Sequence, residues 1–118
     1  MAGGFNPVLA GVGDNKIDVY GATEVGIWTV AFTSTDTYTT GGWAPTAAQF
    51  GLSRPILAIL VIAQNTAGAG IEWTWNSQTS KLQGFVTGTA ANAVLNELGS
   101  ASTLIQSVTL TVLVITQR

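Results

Sequence analysis

The chain has 118 residues, four basic and six acidic, a formal charge of −2, and neither histidine nor cysteine. Those absences exclude imidazole acid–base chemistry, His/Cys zinc sites, thiol nucleophiles and disulfides. A composition 47% hydrophobic and only 8% charged, against about 25–35% charge for a designed soluble surface, predicts apolar surface that a partner or a second copy covers.

One domain is expected at this length, burying roughly 65% of the unfolded chain's surface, enough for a core without disulfides. The basic residues Lys16, Arg54, Lys81 and Arg118 are scattered and form no patch for nucleic acid. The longest apolar run, Ile56–Ala63, is far shorter than the ~20 residues of a membrane helix. Met1-Ala-Gly-Gly has no basic n-region and no apolar h-region follows, so no signal peptide is expected.

Residues 1–14 are Gly-rich and read as an N-terminal arm, with Phe5, Val8 and Leu9 as its anchors; residues 15–118 read as the folded domain. Strand signals begin at Lys16 and run through Ile17-Asp-Val-Tyr20. Val25–Ser34 is clearer: Trp28, Val30 and Phe32 share one face, and Thr29, Ala31 and Thr33 the other. That period of two predicts a half-buried antiparallel strand. Thr35–Gly42 breaks regular structure. Thr46 and Gly51 then bracket one short helical turn as N-cap and C-cap.

Pro55 precedes Ile56–Ala63, whose β-branched residues and short length predict a central strand buried on both faces. Asn65–Gly70 is a turn. Ile71–Asn76 alternates strictly, with Ile71, Trp73 and Trp75 inward and Glu72, Thr74 and Asn76 outward. Lys81–Thr87 completes the hairpin, with Leu82 and Val86 on one face. Residues 88–103 are small and polar, and Ala90–Leu98 reads as a weak helical turn or a loop. The closing strand, Leu104–Thr116, carries Leu104, Val108, Leu110, Val112 and Val114 in one parity and is expected near the middle of a sheet. About six short strands with no strong helix predict an all-β single domain, a β-sandwich or jelly-roll-like barrel.

No motif carries catalysis. Asp14 and Asp18 flank Lys16, which stands where a calcium loop needs another oxygen ligand. Gly11-Val-Gly13 lacks the third glycine of a dinucleotide fingerprint. The remaining carboxylates, Glu24, Asp36, Glu72 and Glu97, show no pairing of the kind a glycosidase needs. The expectation is a non-enzyme with no metal and no cofactor. Trp28, Trp43, Trp73 and Trp75 either pack a core or interface or form a sugar-stacking platform. Trp43 follows Gly41-Gly42 and is expected exposed, within a contact loop Thr39–Pro45.

Four segments, in order, resemble a pattern of small structural proteins of tailed bacteriophages: Gly13-Asp-Asn-Lys16, Thr40-Gly-Gly-Trp-Ala-Pro-Thr-Ala-Ala-Gln-Phe-Gly-Leu52, Ile71-Glu-Trp-Thr-Trp-Asn with Ser80-Lys-Leu, and Leu98-Gly-Ser-Ala-Ser-Thr-Leu leading into Val108–Ile115. The chain is thereby similar to phage head decoration, or cement, proteins. The resemblance implies a β-sandwich or jelly-roll module made in the host cytoplasm and carried on the outer capsid surface of the virion. Its implied partners are the major capsid protein and itself, as a dimer or trimer, with no nucleic acid and no membrane. Low charge and extra tryptophan depart from the pattern. The alternative is a carbohydrate-binding tail-fibre domain or a tail or connector module.

Overall fold

The structure, a computed structural model, describes residues 7–19, 23–65, 70–87, 95–100 and 102–117; for residues 13–19 and 87 it describes the backbone only. Seven strands and one 3-10 turn occupy them: β1 Val8–Val19, β2 Thr23–Ala31, η1 Ala47–Phe50, β3 Ile56–Gln64, β4 Ile71–Asn76, β5 Lys81–Thr87, β6 Leu95–Glu97 and β7 Thr109–Thr116. The chain is all-β, with a larger sheet in the order β1-β2-β7-β3 and a smaller one in the order β4-β5-β6. Every pairing is antiparallel.

Alternation explains the central pair. Trp28 registers with Val112 and Val30 with Leu110, so the inward residues of β2 and β7 make one continuous face. Val30, Leu110, Val112 and Val114 are fully buried, and Phe32 extends the face past the end of β2. Ile71, Leu82 and Leu98 close over it from the smaller sheet, with Trp73 and Trp75 packed against them as their parity predicts. Each aliphatic side chain buried there contributes about 1.5–3 kcal/mol over leaving it in water. Thr46 and Gly51 bracket η1 as expected: Thr46 N–H donates to Gln49 Oε1 at 2.8 Å, and Gly51 takes φ 71°.

Four expectations are corrected. Ile56–Ala63 is not a central strand buried on both faces. It forms most of β3, an edge strand, because β7 takes the place between it and β2. Its register shifts between Ile56 and Ala58 and again between Val61 and Ala63, and Leu57, Leu60 and Ile62 are exposed. The proposed arm does not extend to residue 14: Val8 pairs with Ala31 and Gly11 with Trp28, so β1 begins at Val8. Residues 1–6 of the expected arm lie outside the described residues, and β1 carries a register shift between Gly11 and Lys16.

The closing strand is shorter than predicted. Leu104 is exposed in a turn, Ile105 takes the interior position, and Ser107 at φ 66° turns the chain into β7. Residues 95–97 are strand, not helical turn: Phe85 pairs with Glu97 and Thr87 with Leu95, and Leu98 N–H donates to Gly84 O at 2.9 Å. The unsatisfied edge of β5 draws the chain into the sheet.

Candidate functional site

The four contact residues expected from sequence separate. Phe5 lies outside the described residues. Val8 is exposed at the start of β1, and Leu9 is partly buried against the core beside its register partner Val30. Only Val8 of this pair is free for a neighbour.

Trp43, expected exposed, is instead 4% exposed and part of the core. The Gly-Gly pair seats it. Gly41 and Gly42 take φ 102° and 104°, which L side chains rarely adopt, and reverse the chain. Trp43 then pairs with Leu82 as an isolated bridge, N–H to O at 2.8 Å one way and 2.7 Å the other. A Cβ on Gly42 would stand 2.4 Å from the Leu82 carbonyl oxygen, so the approach requires glycine. The indole lies edge-on to Phe32 at 6.3 Å and tilted against Phe50 at 6.2 Å. Trp43 clasps the loop to the smaller sheet, while Thr39, Thr40 and Ala44 of the same loop are exposed.

That clasp has a polar centre with no sequence signal of its own. Tyr38 is buried; its Oη donates to Glu97 Oε2 at 2.5 Å and accepts the Gly84 N–H at 3.1 Å. The same carboxylate oxygen accepts Gly41 N–H at 2.7 Å and Gln83 Nε2 at 3.4 Å. Burial first, and then the bond to Glu97, push the Tyr38 phenol well above its ordinary value of 10.0. A tyrosine amid threonines and a glutamate 59 residues later would be the only cue.

Two other described carboxylates also make structural contacts. Glu24 Oε1 accepts the Ser53 N–H at 3.0 Å, and Asp36 Oδ2 accepts the Thr33 N–H at 2.6 Å. Asp14 and Asp18 belong to β1, and their side chains are not described. No group of three or more metal-ligating side chains gathers among the described residues. No helix among them is long and apolar enough to cross a membrane.

None of the four indoles is exposed. Trp73 stacks on Phe32 at 5.6 Å, and Trp75 Nε1 donates to the Leu57 carbonyl at 3.0 Å. A shallow cavity of about 220 Å³ lies between β3 and β4, where Trp73 meets Gln64, Ile71 and Glu72. Trp73 Nε1 is buried without an acceptor among the described residues.

What the molecule offers outward is apolar surface on the larger sheet. Val8 and Leu60, 59% and 47% exposed, occupy outward positions of the larger sheet, each in register with an outward neighbour, Ala31 and Leu113. On the smaller sheet Leu95, 49% exposed, stands alone among the described residues as an exposed large apolar side chain, with Glu72, Thr74 and Gln83 as polar outward residues. Comparison of the chain with family models, with curated proteins and with solved structures finds no match.

Proposed function

We propose that this chain is a non-enzymatic structural module of a tailed-phage head, a decoration protein that sits on the outer capsid surface against the major capsid protein. The observation that carries the reading is an apolar, charge-free outer face on the larger sheet of a small, weakly charged β-module. The ordered resemblance of four segments to phage decoration proteins supplies the class of neighbour. Each copy binds a repeating shell weakly, and the repetition turns weak contacts into an array. A protein that binds only the assembled shell stabilises it by mass action.

The test is a reconstruction of the virion together with reconstitution on heads stripped of the protein. The expected result is density for this fold outside the capsid lattice, saturable rebinding, and DNA retained to higher temperature by coated heads. Density in the tail, or stripped heads as robust as coated ones, overturns the reading.

A second reading, glycan binding, rests on Trp73 Nε1, a buried donor on a residue that lines a cavity with Gln64 and Glu72. Specific glycan binding that Glu72→Ala removes without unfolding the protein would favour it.

A further inference from the structure

We infer that the outer face of the larger sheet is where two copies of this chain pack against each other, face to face, about a two-fold axis.

Register defines the face. Ile27 pairs with Leu113, and Leu113 with Leu60; Val25 pairs with Ile115, and Ile115 with Ala58. These two rows run across three strands on the side opposite the buried Trp28, Val112 and Val114. A third row, through Thr29 and Thr111, adds the face's polar atoms. No outward register position on β1, β2, β7 or β3 holds Asp, Glu, Lys or Arg. This charge-free register is unusual, since an open antiparallel sheet ordinarily turns polar residues to water.

Three arguments make the occupant a second copy. The first is self-complementarity. A two-fold axis sets each patch against itself, so any charge near its centre would meet its own image. A face of Ile, Leu, Val, Ala and Thr meets that condition; a face shaped for a charged partner would carry the opposite charge.

The second is area. Four strands about 4.8 Å apart over ~23 Å of paired length give a footprint of somewhat more than 400 Å², and the accessible surface of its corrugated side chains is larger. Two copies therefore bury on the order of 1,000 Å² in total, the lower bound for a specific interface.

The third is geometry. Twisted antiparallel sheets stack about 10 Å apart with their strands roughly 30° from parallel, without backbone change. The result is a four-layer particle whose two smaller sheets, each with Leu95, face outward. It deepens the reading of a structural module and rests on that reading only in treating the face as a contact surface.

The test needs no capsid, so its failure and that of the phage reading are distinguishable. Sedimentation of the wild-type protein should give a concentration-dependent species of twice the 12.2 kDa chain mass. Leu113→Lys, at the centre of the face, should weaken self-association at least about tenfold, since like charges then meet across the axis. Leu113→Glu should do the same, and mixing the two variants should restore a heterodimer. If the Leu113 variants do not fold, Leu60→Lys and Leu60→Glu, on the exposed edge, replace them. The inference is overturned if the wild type is monomeric at about 200 µM. It is equally overturned by a trimer, or by a dimer that charges at Leu113 and Leu60 leave intact. Heterodimer recovery is the outcome that a partner of another kind would not give.

Discussion

β7 and β3 lie side by side and are both rich in Ile, Leu and Val, yet they are used differently. In β7, threonines at 109, 111 and 116 interrupt the apolar residues, and the burial alternates residue by residue. β3 has no such interruption from Ile56 to Ala63, and it exposes Leu57, Leu60 and Ile62. The interrupted strand is the one at the sheet's centre; the uninterrupted one is at the edge. An unbroken apolar run therefore does not signal burial on both faces within one chain. Here it marks an edge strand whose inner face serves the fold and whose outer face is exposed.

Substitution should separate the two uses. Val112→Asp places a lone carboxylate in the core, where Val112 is 0% exposed, and should cost about 5 kcal/mol or more, enough to prevent folding. Circular dichroism at neutral pH would show the loss; a folded Val112→Asp protein would contradict the assignment of β7 to the core. Trp43→Ala comes next. A buried indole in contact with Phe32 and Phe50 should cost about 3–5 kcal/mol in urea unfolding. Unchanged stability with weakened association would return Trp43 to the surface.

Tyr38→Phe removes the donor to Glu97 and the acceptor for Gly84 N–H, and should cost about 1–3 kcal/mol. It has a pH signature. The unfolded phenol ionises near its ordinary 10.0, while the folded one stays protonated well above that. Stability drawn from Tyr38 is thus fully present below pH 10.0 and declines as pH rises beyond it. Urea midpoints measured from pH 8 upward should fall above about 10 in the wild type and fall less in Tyr38→Phe. The smallest effect belongs to β3: Leu60→Gln should change monomer stability by no more than about 0.5 kcal/mol. A larger loss would show that the edge strand supports the fold as β7 does.

The parts legible from sequence are those where one residue type alternates with another. Trp28, Val30 and Phe32 against Thr29 and Ala31 define β2, and Ile71, Trp73 and Trp75 against Glu72 and Thr74 define β4. Thr46 and Gly51 bracket η1 because cap chemistry is local. Edge or centre in a sheet is not local, so Ile56–Ala63 alone could not reveal its neighbours. Trp43 misleads for a related reason. Gly41-Gly42 reads as slack, but those glycines permit a close approach to Leu82, about 40 residues further on. The Tyr38–Glu97 bond and the inward place of Glu24 depend likewise on partners distant in sequence. Of the candidate contact residues, Val8 stays at the surface and Leu9 and Trp43 do not.

The central position of β7 also sets an order of events. Of the described strands β7 is last in the chain, yet it joins β2 to β3, and Thr116 closes on Glu24 from 92 residues away. Until β7 arrives, β2 has only β1 beside it, and β3 has no partner in its sheet. A topology so dominated by distant pairings folds in milliseconds to seconds, not microseconds. During that delay Ile56-Leu-Ala-Ile-Leu-Val-Ile-Ala63 is an unpaired apolar ribbon, the species most prone to pair with another chain. Refolding yield should therefore fall as protein concentration rises, with β3 the first segment to be trapped.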